Sequence, residues 1–171
     1  MTEKDTTRIT FEKGDNVVYP NHGAGCVAGI EKKTIQGEER SYYIVYIPDS
    51  ELTLSIPVDG DTGLRPCSDK ESTERALATL SDEVTEMPAN WNQRLKHNRE
   101  KLRDGDIAEV AEVVRNLSVF GGENGLSTGE RGMLSKARQI LVSEIALVRD
   151  VGVTDAETMI ETALKNGKGD E

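Results

Sequence analysis

Apolar and polar positions along this chain follow two different periods, and the change comes near residue 68. In the first stretch the apolar residues form short runs closed by turn formers. Asn16–Tyr19 ends at Pro20, and Gly25–Ile35 runs into Gln36-Gly37. Ser41–Ile47, rich in β-branched and aromatic residues, stops at Pro48-Asp49, and the alternating Leu52, Leu54 and Ile56 stop at Pro57. Such runs predict a small antiparallel sheet or barrel of SH3 or Tudor size. Tyr19, Tyr42, Tyr43 and Val45 are its expected core.

Beyond residue 68 the spacing becomes helical. Ile107, Val110, Val114 and Leu117 share one stripe, and Met133, Leu134, Ala137, Ile140, Leu141, Ile145 and Val148 share another over a helix of about 22 residues. Five segments open with a capping residue followed three positions later by an acid or amide. They begin at Ser68, Asn90, Asp106, Ser127 and Thr154. In that arrangement the first side chain satisfies an orphan amide of the opening turn, and the second returns the bond. Phe120–Gly125 is expected to break the chain between the two long stripes. The predicted class is therefore α+β, a Tudor- or SH3-like β-barrel over residues 11–67 followed by a compact all-helical domain over 68–165. Residues 1–10 are expected to be flexible and 166–171 a disordered tail.

Charge sharpens this picture. Acidic residues number 31 against 21 basic ones, a net charge of −10, which opposes indiscriminate long-range attraction to polyphosphate. The cations are concentrated, however. Trp91–Arg103 carries Arg94, Lys96, Arg99, Lys101 and Arg103 against Glu100 alone, and Arg131, Lys136 and Arg138 follow with no acid among them. No apolar run approaches the roughly 20 residues of a membrane span. The polar first ten residues lack a signal-peptide core, so a cytoplasmic protein is expected.

Catalytic patterns are missing. His22 lies in a Pro-Asn-His-Gly turn and reads as a solvated imidazole; His97 lies within the basic helix, placed for a phosphate or for solvent. Gly121, Gly122 and Gly125 do not form a phosphate-loop motif. Asp104 and Asp106 are explained by a turn and a cap. Cys26 and Cys67 have neither disulfide nor zinc spacing, and Cys26 reads as a small buried residue. No enzyme activity, metal, cofactor or small-molecule substrate is expected.

Trp91 opens the basic segment, and two readings stand side by side. In one it is core and the cations beside it are an ordinary solvated face. In the other, free amides at a helix start and the adjoining cations receive phosphate oxygens while the indole meets a base step.

Several ordered stretches resemble the CarD/CdnL family of bacterial transcription regulators. They are Phe11–Gly23, Thr34–Glu38, Asn90-Trp91, Asn98–Leu102, Gly105-Asp106, Ala111–Leu117, Leu126–Glu130 and Met133–Val142. The resemblance implies a Tudor-like domain similar to the polymerase-interacting module of the transcription-repair coupling factor, bound to the RNA polymerase β subunit. Its polymerase surface would include Lys33, Ile35, Tyr43, Ser55 and Pro57. It also implies a helical domain on promoter DNA at the upstream edge of the melted minus-ten region. There Trp91 would wedge into the minor groove and favour the open complex, with Arg94, Lys96 and Arg131 on the DNA; the clustering of charge adds Arg99, Lys101, Lys136 and Arg138 to the expected DNA contacts. The chain departs from the family pattern at Ser55 and Gly132, where basic residues occur in other members. A protein–protein adaptor that never touches DNA is the alternative.

Overall fold

A computed structural model describes residues 10–19, 22–60, 62–104 and 106–167. Residues 1–9 of the expected flexible start and 168–171 of the expected tail lie outside this range, as do Pro20, Asn21, Asp61 and Gly105. The first half holds β1 (Asn16–Tyr19), β2 (Gly23–Ile35), β3 (Glu38–Ile47), β4 (Leu52–Pro57) and β5 (Arg65–Pro66). All pairings are antiparallel, in the order β4-β3-β2-β1-β5. The order is linear, with β4 and β5 at the edges, so the sheet is open where a closed barrel was expected. The physical reason is β5. It has two residues, one a proline without an amide, and it pairs only with Val17 and Val18. The β2–β3 hairpin turns at Gln36-Gly37, both with positive φ (53° and 81°), the geometry of a two-residue turn matched to strand twist.

One face of the sheet buries Phe11, Val17, Val27, Tyr43, Val45, Ile47, Ile56 and Leu64. The Tyr43 hydroxyl accepts the Phe11 amide at 3.3 Å, and the two rings meet edge to face. Tyr43 is only 2% exposed. His22, expected in solvent, is half-buried and stacks on Tyr19 with 5.3 Å between ring centres.

The second half holds α1 (Lys70–Ser81), α2 (Trp91–Asp104), α3 (Ile107–Asn124), α4 (Thr128–Arg149) and α5 (Val153–Gly167). Asn90, Asp106 and Ser127 cap as expected, and Ser127 with Glu130 forms a full reciprocal box. Two expectations fail. Asp69 rather than Ser68 caps α1, because Ser68 is drawn to Glu144. Thr154 lies inside α5, whose first helical bond runs from the Ala156 amide to the Gly152 carbonyl. The expected break over Phe120–Gly125 narrows to Gly125, with φ of 75°, and α3 continues through both preceding glycines. Asn166 and Gly167, expected in the tail, belong to α5.

The helices bury Val110, Val113, Val114 and Leu117 of α3 against Leu141 and Ile145 of α4, with Ile160 of α5. Each fully buried Leu or Ile contributes about 2 kcal/mol. Val18 and Ala24 of the sheet enter the same cluster, so the two halves share part of one core. Polar bonds reinforce the seam. The Ala24 amide donates to Ser143 Oγ at 2.9 Å, and that hydroxyl donates to the Ile140 carbonyl at 2.8 Å. At Gly23, φ is 103° and a Cβ would fall 2.6 Å from Ser143 Oγ, so only glycine fits. Among the described residues no helix is long and apolar enough to cross a membrane.

Candidate nucleic-acid interface

Helix α2 presents the tryptophan. Trp91 is its first residue and is 50% exposed, which removes the core reading. The free-amide argument narrows as well. Asn90 Oδ1 accepts the Asn92 amide at 2.9 Å and the Gln93 amide at 3.3 Å, and the Asn90 carbonyl takes the Arg94 amide. The Asn92, Gln93 and Arg94 amides are thus satisfied from within, so attraction for phosphate rests chiefly on side-chain cations.

Arg94 is the main correction. Expected on DNA, it is 4% exposed. Its Nε donates to Glu130, and Nη1 reaches the carbonyls of Pro88 (3.3 Å) and Ala89 (3.1 Å). The guanidinium lies 4.1 Å from the centre of the Phe120 ring. Glu130 also accepts the Ser127 amide and hydroxyl, at 3.0 and 2.9 Å. Burial pushes the Glu130 carboxyl pKa upward, but Arg94 and Ser127 outweigh it and hold it below the ordinary value. One guanidinium thus ties the start of α2 to the end of α3 and the cap of α4. The signal was present in the sequence: Arg94, Asn98 and Leu102 recur at helical spacing, on the face turned inward.

Two further expected contacts are engaged inside the protein. Lys101 Nζ lies 2.6 Å from Glu112, which also accepts the Thr85 hydroxyl at 2.7 Å. Burial again raises the Glu112 pKa, and Lys101 with Thr85 lowers it further than burial lifts it. Arg138 pairs with Glu161 of α5. Lys96, Arg99, Arg131 and Lys136 are exposed. Trp91, Leu95 and Arg99 follow at four-residue intervals along one edge of α2. Arg131 and Lys136 are five residues apart on α4, about 140° around the helix, and do not share a face. His97 is half-buried rather than freely solvated.

Between α2 and α4 runs a groove of about 500 Å³. Leu95, Leu102, Met133 and Ile140 line it, together with Arg99 and Lys136. Composition gave no hint of it, because the groove depends on how two helices cross. No group of three His, Cys, Asp or Glu among the described residues is placed to hold a metal ion.

On the sheet, Lys33, Ile35, Ser55 and Pro57 share one face by register and alternation, and Lys33 Nζ donates to Ser55 Oγ at 2.8 Å. Ser55 therefore supports the lysine that was expected beside it. Tyr43 is on the opposite face, inside the sheet's core, and is removed from the expected polymerase surface. Tyr46, 41% exposed, was not expected there but lies on the Lys33 face.

Residues 11–68 match the family described as the CarD-like/TRCF RID domain, and residues 75–161 match the CarD C-terminal domain. The protein named "Putative transcription factor YdeB" of Bacillus subtilis (strain 168) is 34% identical over 149 residues, spanning 86% of this chain and 96% of its own. With both halves matched in order, and a relative covered almost from end to end, the chain belongs to the CarD/CdnL family of transcription regulators.

Proposed function

We propose that this regulator grips RNA polymerase through its Tudor-like sheet and holds promoter DNA open through its helical half. The observation that carries the reading is the half-exposed Trp91 at the head of α2, on the helix that also exposes Lys96 and Arg99. An indole at the upstream fork fits parted strands better than closed duplex. Only such differential affinity shifts the equilibrium, and about 1.4 kcal/mol changes it tenfold. The grip is the face of Lys33, Ile35, Ser55 and Pro57, directed at the polymerase β subunit. Edge strand β4 beside it has main-chain groups suited to strand addition. A protein of charge −10 with four exposed cations among those expected on DNA binds free DNA weakly. Tethering to polymerase raises the effective concentration to the order of mM and makes a weak contact sufficient. DNA contact falls to Trp91, Lys96, Arg99, Lys136 and, from another face, Arg131.

The test is open-complex lifetime on a promoter template. Trp91→Ala is expected to shorten it about tenfold with polymerase binding retained; an unchanged lifetime overturns the wedge. The adaptor reading draws support from the engagement of Arg94, Lys101 and Arg138 within the protein. Footprinting separates the two. Added protection at the upstream fork, lost in the Lys96→Glu/Arg99→Glu double variant, favours DNA contact, and no added protection favours the adaptor.

A further inference from the structure

The groove between α2 and α4 has a chemical character that the wedge reading leaves unused. Its floor is apolar, from Leu95, Leu102, Met133 and Ile140, and its rim includes Arg99 and Lys136. Among the described residues no acid lines it, on a chain with 31 acids against 21 bases. The floor is held open from the α4 side: a Cβ added at Gly132 meets nothing within 4 Å. Its volume of about 500 Å³ falls within the usual range of ligand pockets. Trp91 heads the same helix edge, four residues before Leu95.

We infer that this groove receives an unpaired nucleotide of the melted promoter strand, its base on the Leu95–Leu102–Met133–Ile140 floor and its phosphates at Arg99 and Lys136. The inference rests on the proposed placement of Trp91 at the fork. A wedge that parts strands leaves unstacked bases beside it. A flat apolar base with an anionic backbone complements an apolar floor with a cationic rim, the combination by which single strands are held without sequence choice. Met133 adds a polarizable sulfur that suits an aromatic ring. An acidic amphipathic peptide has related chemistry, and the test includes it.

The experiment uses the full chain bound to polymerase on a forked promoter template carrying 4-thiothymidine at the first unpaired positions. After irradiation, crosslinked peptides are mapped by mass spectrometry. The expected adducts fall on α2 and α4 at the groove floor. Gly132→Leu fills the groove without touching a charge, and it replaces a helical glycine with a better helix former, so folding is secure. It is expected to lower the crosslink yield at least tenfold while the Trp91-dependent fork protection persists. Equal yield in wild type and Gly132→Leu overturns the groove proposal and leaves the wedge intact. Loss of all dependence on Trp91 overturns the wedge instead. Floor crosslinks abolished by an alternating Glu-Leu peptide at a concentration that leaves fork protection unchanged support the shared site. That peptide labelling the groove in a complex where the oligonucleotide never does so overturns the nucleotide assignment.

Discussion

Arg65 and Glu144, 79 residues apart, meet fork to fork at 2.8 and 2.5 Å across the seam between sheet and helices. The Ser68 amide and hydroxyl add bonds to the same carboxylate at 3.3 and 3.0 Å. Glu144 is fully buried, whereas the Arg65 side chain is 26% exposed. Removing the arginine therefore strands a buried charge. Arg65→Ala is expected to cost about 2–3 kcal/mol, toward the low end for a buried pair because of that exposure. Urea denaturation measures it. The double variant Arg65→Met/Glu144→Leu is expected to cost less than the single one, since it leaves no charge unpartnered; additive losses would contradict this account.

Arg94 is expected to behave as a structural residue. Arg94→Ala leaves Glu130 buried beside Ser127 alone and should lower stability by about 3 kcal/mol in thermal or urea unfolding. Lys96→Ala and Arg99→Ala should stay within about 0.5 kcal/mol of wild type. If Arg94→Ala unfolds like those two, the clamp onto Glu130 does not form.

Glu130 gives the pH dependence its sign. Its folded pKa is depressed, so its contribution is fully present above the unfolded value of about 4.3 and is lost as pH falls through the lower folded value. Glu112 acts in the same direction. Stability should fall as pH drops below the ordinary carboxylate range, and Glu130→Gln should flatten that acid limb while lowering stability at neutral pH. Denaturation midpoints between pH 7 and pH 3 measure both effects.

Cys67 should be inert in the native protein. Burial, with the Glu144 carboxylate adding to it, pushes its thiol up to about 12, so almost no thiolate exists at pH 8. A thiol reagent at pH 8 is expected to modify Cys67 far more slowly in the native protein than in the urea-unfolded chain. Glu144→Gln removes the nearby charge and should bring the thiol down, although burial still holds it high.

The strands and the long helix were legible because each follows a local period. Ser127 and Glu130 announced the start of α4, and the Gln36-Gly37 turn announced the β2–β3 hairpin. What escaped depended on partners far along the chain. Strand β5 has two residues and too little pattern to read, so an open sheet passed for a barrel. Arg94 looked like its basic neighbours because Glu130 lies 36 positions away. Tyr43 was expected both in the core and on the polymerase surface, and alternation along β3 allows only one of these. Trp91 differed in kind: the sequence left its exposure open, and the fold resolved it by placing the indole half-exposed at a helix start.

Because Val18 and Ala24 lie in the helical core while Glu144 clasps Arg65, sheet and helices are locked like the legs of calipers set to one span. On the proposed reading, the gap between the Lys33 face and Trp91 would be set by folding and would not adjust to the promoter. A template whose parted strands began at a different offset would then have to bend to meet the indole, and tuning from gene to gene would fall to the DNA.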